Sequence, residues 1–168
     1  MPTTPRRLAV VAATMALAAA ACGSATSTPA PPVTANFESG AATVSMTGSY
    51  TTTYPALLMR GSFVGGGAFM SVEYGNVQTG ALTYGGPATR GTYPTLRTDT
   101  EVTTLALTVV LASGDKASDS FASTNGECSI TIVEMSAMKG DATFTCSDLS
   151  NVDGTATIDA SGQFSFVP

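Results

Sequence analysis

Hydrophobic and polar residues alternate along much of the chain, with the period of two that is typical of a β-strand with one buried face. Val44 and Met46 show this alternation, and Met70 and Tyr74 show it again. Glycine, proline, serine and asparagine separate such segments at intervals of about eight to twelve residues. We therefore predict that residues 37–168 form a single all-β domain, an antiparallel β-sandwich or partly open barrel of about eight strands.

Residues 102–111 are the most continuously hydrophobic segment of this predicted domain. The threonines and valines in it are β-branched and lose rotamer freedom in a helix, so we predict a central β-strand. Tyr54 and Pro55 predict a break or an edge in the sheet, because proline cannot donate a ladder hydrogen bond. Residues 85–94, rich in Gly, Pro and Thr, predict a loop.

Two dipeptides predict turns within the second half of the chain. Asn125-Gly126 is the residue pair that a two-residue hairpin favours, so it predicts a hairpin between Phe121 and the next strand. Ser161-Gly162 predicts a second turn, which divides the last segment into two strands.

Two cysteines, Cys128 and Cys146, lie at the ends of segments that both alternate like half-buried strands. A hairpin about Ala137 places the two cysteines opposite each other, so we predict a disulfide that closes a loop of nineteen residues. The chain-entropy model gives such a bridge about 3 kcal/mol. A reduced thiol pair for redox chemistry or metal binding is the alternative, but no CxxC spacing or histidine accompanies it. The same register pairs Ile130 with Phe144 and Ile132 with Ala142.

Residues 1–21 have the pattern of a secretory signal peptide. Arg6 and Arg7 precede an apolar run from Leu8 to Ala21 that only Thr14 interrupts. A helix of this length, at about 1.5 Å per residue, is too short to cross about 30 Å of hydrocarbon. We predict export, with the adjacent arginines leaving the twin-arginine route open as an alternative.

The end of this segment, Ala19-Ala20-Ala21-Cys22, resembles the bacterial lipoprotein signal, and Gly23 and Ser24 follow the cysteine as they often do in lipoproteins. Ala19 stands where that signal usually has leucine. The resemblance implies that Cys22 becomes lipid-modified and N-terminal, and that the protein is anchored to the outer face of the cell membrane or in the envelope. Two alternatives remain: an ordinary cleaved signal, which would give a freely secreted protein, and an uncleaved membrane helix.

Residues 22–36 predict a tether that holds the domain away from the membrane. Serine, threonine, proline and alanine dominate it, and Pro29, Pro31 and Pro32 favour an extended path that cannot pack a core. A lipid on Cys22 would also leave an even number of cysteines for the exported domain.

Charge and composition exclude several functions. Loss of Arg6 and Arg7 would change the net charge from −5 to −7, whereas nucleic-acid binding needs clustered basic residues. The chain has no histidine and no tryptophan, which excludes a Ser-His-Asp triad and imidazole metal ligands. We expect no enzyme and no cofactor, and interpret the acidic pairs Asp99/Glu101 and Glu127/Glu134 as solvated. The five tyrosines offer a sugar-binding platform as a lesser alternative.

Metal binding has two weak candidates. The loop of residues 148–154 gathers oxygen side chains, but its spacing differs from that of a calcium loop, and a turn ending at Asp153-Gly154 explains it. The methionines, which include Met135 and Met138, could hold Cu(I), but we interpret Met46, Met59 and Met70 as core residues and the other two as part of a hairpin tip. We therefore predict no metal site.

Two functional hypotheses remain for the predicted domain. The first is a monomeric surface module that binds an unidentified envelope or extracellular partner through its loops or an exposed patch. The second is a carrier, which needs a cavity of hundreds of cubic ångströms to enclose a lipid or another apolar ligand.

Overall fold

The computed structural model describes residues 36–64, 68–76, 78–98, 102–110, 118–136 and 139–167. The predicted signal peptide, Cys22 and the tether as far as residue 35 lie outside these ranges. No helix long and apolar enough to cross a membrane occurs among the described residues. The described chain forms ten β-strands: β1 (Ser39–Gly48), β2 (Thr52–Val64), β3 (Phe69–Asn76), β4 (Gly80–Pro87), β5 (Gly91–Arg97), β6 (Val102–Val110), β7 (Ser118–Ser123), β8 (Asn125–Met135), β9 (Gly140–Ser150) and β10 (Thr157–Val167).

All ten strands belong to one antiparallel sheet, which confirms the predicted all-β class. The strand order is β4-β3-β2-β1-β10-β9-β8-β5-β6-β7, and β6 also pairs with β4. Because β6 is hydrogen-bonded to both ends of this series, the sheet curls back on itself around one core. The structure has two strands more than the predicted eight. The additional strands, β2 and β5, contain Pro55 and Pro94, where the sequence predicted an interruption or a loop.

Pro55 and Pro94 both lie inside strands, β2 and β5, so the predicted break and the predicted loop over residues 85–94 are wrong there. Pro55 is tolerated because β2 pairs with β3 only from Leu57 onward, which leaves the edge beside Pro55 without a strand partner in that pairing. Pro94 adjoins a register shift between β5 and β8, where the ladder is irregular in any case.

The core is built from alternate residues of every strand, and large aromatic side chains occupy its centre. Tyr54, Tyr74 and Tyr84 are at most 1% exposed, and each phenolic hydroxyl donates to a backbone carbonyl at 2.9–3.0 Å. Burial raises the pKa of these phenols above the ordinary value, so they remain hydrogen-bond donors. The interior is therefore filled rather than hollow.

The β8–β9 hairpin has the predicted register. Cys128 lies opposite Cys146 with their Cα atoms 4.0 Å apart, and a disulfide joins them. Both cysteines are buried, so the bridge belongs to the core. The pairs Ile130–Phe144 and Ile132–Ala142 also form as predicted.

The predicted central strand is confirmed as β6, which pairs with β4 on one side and with β5 and β7 on the other. Its burial alternates rather than covering both faces: Thr103, Leu105, Leu107 and Val109 point into the core.

The turns predicted at Asn125-Gly126 and Ser161-Gly162 do not form. At Asn125-Gly126 the chain leaves β7, which pairs with β6, and enters β8, which pairs with β5 and β9. At Ser161-Gly162 the strand β10 continues unbroken. A Cβ atom on Gly162 would lie 2.7 Å from the Phe144 ring, so this glycine permits close packing between β10 and β9 rather than a turn.

Candidate functional site

An apolar groove of about 710 Å³ lies on the outer face of the sheet, where β2, β3, β4 and β6 lie side by side. Leu57 and Met59 form one side of the groove, and they are 70% and 64% exposed. Large apolar side chains with this exposure are costly in water unless a partner covers them. The residues lining the groove are Pro55, Ala56, Leu57, Met59, Gly75, Asn76, Gly80, Ala81, Thr108 and Val110.

A β-bulge in β2 creates this side of the groove. The pairing of β2 with β3 shifts register between Leu58 and Arg60, so Met59 is the extra residue. Leu58 still packs against the core, whereas Met59 and Arg60 are both exposed. The bulge thus adds a long, flexible thioether to the outer face beside Leu57.

The groove floor is made of small residues. Gly75 lies on β3 directly opposite Leu57, and its missing side chain leaves room for Met59: a Cβ atom there would contact the Met59 thioether. Gly80 and Ala81 continue the floor onto β4. A larger residue at position 75 would displace Met59 and fill the groove.

Tyr54 supports the groove from inside the sheet. Its hydroxyl lies 3.0 Å from the carbonyl oxygens of Ala81 on β4 and of Thr108 on β6. A Cβ atom on Gly80 would lie 2.7 Å from the Tyr54 ring, so glycine is needed for this close approach. The phenol therefore fixes the two strands that carry the far side of the groove.

The polar groups at the groove margin are already hydrogen-bonded. The Asn76 amide donates to the Pro55 carbonyl at 3.3 Å and accepts from the Gln78 backbone N–H at 3.0 Å. The Thr108 hydroxyl lies 3.3 Å from that of Ser120. Within the described ranges, none of the residues that line the groove is charged. Its chemistry therefore favours an apolar ligand over a charged one or a sugar.

The tyrosine platform proposed as an alternative is wrong. Tyr54, Tyr74 and Tyr84 are buried, while Tyr50 packs against the core and donates to Asp119 at 2.9 Å. Tyr93 is also packed against the core. No set of these rings is free to stack on a sugar.

The methionine interpretation holds in part. Met46 and Met70 are core residues, each 1% exposed. Met59 is not: the bulge turns it outward, and it belongs to the groove.

The acidic pair Glu127/Glu134 does not form a site. Glu127 lies near the start of β8, whereas Glu134 lies near its end, 3.7 Å from the Lys139 ammonium. Asp99 and Glu101 lie outside the described residues. Paired carboxylate chemistry therefore has no support at Glu127 and Glu134.

Glu127 instead organises the crossing from β7 to β8. Its carboxylate accepts hydrogen bonds from the Ser123 hydroxyl at 2.8 Å and from the backbone N–H groups of Thr124 and Asn125 at 3.2 and 2.9 Å. Burial alone would raise its pKa, but these hydrogen bonds outweigh it and hold the pKa below the ordinary value. Thr95 extends the network from β5 by bonding to Ser123 and to the backbone of Cys128.

Residues 148–150 complete β9, and residues 151–154 form the turn that the alternative interpretation predicts. The Asn151 side chain points inward and accepts from the backbone N–H groups of Thr155 and Ala156 at 2.8 and 3.0 Å. Its amide donates to both Asp119 carboxylate oxygens at 3.1 and 2.9 Å. Gly154 ends the turn with φ of 66°. Within the described ranges, no group of three or more potential ligands is placed to hold a metal.

Comparison with protein families, curated proteins and solved structures finds no match. The function must therefore be argued from the surface of this chain. One sequence feature foreshadows the groove: five consecutive apolar residues, 55–59, break the strand alternation.

Proposed function

We propose that this protein is a lipid-anchored envelope module that binds an apolar ligand or partner surface in the groove of β2, β3, β4 and β6. The exposure of Leu57 and Met59 beside Gly75, which has no side chain, is the observation that carries the proposal. A filled core makes these outward side chains unnecessary for folding, which leaves binding as their physical explanation.

The anchoring part of the proposal rests on the sequence. The resemblance of Ala19-Ala20-Ala21-Cys22 to a lipoprotein signal supports a lipid on Cys22, and the Pro-rich tether supports a standoff from the membrane. Intact mass and N-terminal peptide mass of the protein from its host test this. A lipidated N-terminal Cys22 supports anchoring, whereas an unmodified Cys22 or cleavage elsewhere makes the protein freely secreted.

The carrier hypothesis survives in a changed form. The interior offers no room because aromatic side chains fill it, but the groove is apolar over nearly its whole lining, and the described residues that line it carry no charge. An alkyl chain fits such a surface because it brings no polar group that would need a partner. We therefore keep a surface-held acyl chain as the second candidate.

Binding is tested with palmitate, whose alkyl chain is a simple probe of the groove. Calorimetric titration of the wild type should give saturable binding, and Leu57→Gln with Met59→Gln should weaken it at least tenfold. Val152→Gln is the matched control, because Val152 is 81% exposed yet lies outside the groove. Native mass spectrometry of protein from its host separates the candidates: a retained lipid supports the carrier, and a bare chain favours a module for a protein surface. Equal binding by all variants would contradict the groove as the site.

A further inference from the structure

The chain enters the fold at a fixed point beside the end of β2. Asn36 forms a β-bridge with Ser62, and the Phe37 backbone N–H donates to the Gly61 carbonyl at 2.9 Å. The Phe37 ring stacks on Phe166 with centroids 4.3 Å apart. Residue 36 is therefore held at one end of the molecule, and any tether must leave from that end.

The same end carries a second group of exposed apolar side chains. Val64, at the end of β2, pairs with Phe69, at the start of β3, and they are 52% and 38% exposed. Phe69 and Pro87 then line a depression of about 180 Å³ together with residues of β5 and β6. We call this group the tether-end patch; it consists of Val64, Phe69, Pro87, Leu96 and Val102.

The basic residues near this patch differ from the others that the structure describes. Arg60 pairs with Glu73, and Lys139 pairs with Asp141 and Glu134. Within the described ranges, Arg90 and Arg97 have no acidic side chain within ion-pair distance. Arg97 lies directly opposite Val102, and Arg90 follows Pro87 in the β4–β5 connection. An apolar surface beside guanidinium groups that pair with no described carboxylate matches the acyl and phosphate layers of a lipid surface.

Because the tether is short, a weak contact between the domain and the membrane would be sufficient to hold the domain there. Asn36 follows Cys22 by fourteen residues, which span at most about 50 Å when fully extended. A linker of this length gives an effective concentration on the order of millimolar. An anchored domain would thus meet the membrane often with this end, because the tether leaves from it.

We propose that the tether-end patch rests on the surface of the membrane that holds Cys22, a proposal that rests on the lipid anchor proposed above. Leu57 precedes Val64 by seven residues on β2, which is about 23 Å along a strand. Docking of the patch therefore leaves the groove away from the lipid and open to its ligand. The domain therefore has one orientation, in which the tether-end patch contacts the membrane and the groove faces away from it.

The absence of tryptophan from the chain provides a direct test. Phe69→Trp and Val64→Trp each place a single indole in the patch. Val152→Trp is the matched control, because Val152 is exposed, lies outside the groove and belongs to the turn between β9 and β10, at the opposite end of the sheet from the tether. Each full-length variant is expressed and matured in its host, purified, and reconstituted in vesicles of phosphatidylcholine and phosphatidylglycerol. Fluorescence is then compared with and without brominated lipid. We expect the two patch variants to shift to shorter wavelength and to lose at least half of their emission, whereas the control variant changes little.

The outcomes distinguish the two proposals because the mass of each reconstituted sample is measured as well. A lipidated chain with unquenched patch variants overturns membrane docking and leaves the anchor intact. An unmodified Cys22 overturns both. Equal quenching at positions 64, 69 and 152 overturns the proposed orientation. Arg97→Glu in the Phe69→Trp background should reduce quenching at low salt, since it replaces attraction to phosphate by repulsion.

Discussion

Two parts of the curled sheet have similar inner faces and different outer faces. We call them the polar wall, formed by β8, β9 and β10, and the apolar wall, formed by β2, β3, β4 and β6. The wall of β8, β9 and β10 presents Thr143 between Thr131 and Gln163, and its main depression, about 360 Å³, is partly lined by polar side chains. The wall of β2, β3, β4 and β6 presents Leu57 and Met59 beside small residues instead. Both walls fold with alternate residues buried. The comparison teaches that folding requires only the inner pattern, so the apolar outer face of the second wall serves another purpose.

The two walls also differ in how firmly they are joined. A disulfide fastens β8 to β9 inside the core, whereas β2 contains a proline and a bulge. The β8–β9 and β9–β10 pairings also contain register shifts, so the difference between the two walls is the covalent bridge in the polar wall. Substitutions in the two walls should therefore separate stability from binding.

The largest effect is expected from removing the bridge in the polar wall. Cys128→Ala with Cys146→Ala should lower the free energy of unfolding by about 3 kcal/mol, because the loop of nineteen residues is no longer closed in the unfolded chain. Urea unfolding measures the loss. The groove lies in the other wall, so palmitate affinity below the unfolding transition should stay within twofold. An unchanged unfolding midpoint would contradict a stabilising bridge.

A smaller loss is expected where the buried carboxylate of Asp119 meets Asn151. Asn151→Ala removes both hydrogen bonds to Asp119 and two to backbone N–H groups, and should cost about 2 kcal/mol. The expectation is checked by thermal unfolding beside Val152→Ala, which changes the exposed neighbour. Equal melting temperatures for the two variants would show that the polar cluster contributes nothing.

In the apolar wall, binding should change while stability does not. Gly75→Ala forces the Met59 thioether out of the groove floor, so palmitate affinity should fall at least fivefold. Stability should change by less than about 0.5 kcal/mol because the site is on the surface. Gly85→Ala is the control: it lies on β4 outside the groove lining, and its new Cβ atom would lie 3.3 Å from Thr104 Oγ1. If both variants bind like the wild type, the groove floor is not used.

The smallest effect concerns pH and the crossing between the two walls. The folded-state pKa of Glu127 is below the ordinary value of 4.5, so its contribution to stability is present above that pH and is lost as the pH falls through the folded pKa. Glu127→Gln should therefore be less stable than the wild type at pH 6, with the difference shrinking below pH 4.5. A constant difference from pH 6 to pH 3 would contradict a lowered pKa.

Local sequence patterns predicted the parts of the fold that local contacts determine. The β8–β9 hairpin followed from two alternating segments joined by a short connection, which left Cys128 opposite Cys146. The strand β6 followed from its β-branched composition. Both predictions depend on neighbours in sequence or on burial alone.

Long-range pairing determines the parts that the sequence could not predict. Asn125-Gly126 has the residues of a hairpin, but hydrogen bonds of Glu127 and Thr95 stabilise a crossing there instead. The groove depends on a one-residue bulge at Met59 and on the direct pairing of β6 with β4, although β5 lies between these two strands in the sequence. Neither has a local signature, although the apolar run at residues 55–59 was a visible departure from alternation.

The pairing of β1 with β10 has a consequence for the order of folding. Ser39, near the start of the domain, lies opposite Val167, near its end, so these two strands cannot meet until the last residues are available. Pairings between such distant segments also form slowly, because a long loop must close first. A chain that emerges from a translocation channel N-terminus first would therefore hold β1 without this partner until β10 has emerged as well. The sheet could be completed only after that point.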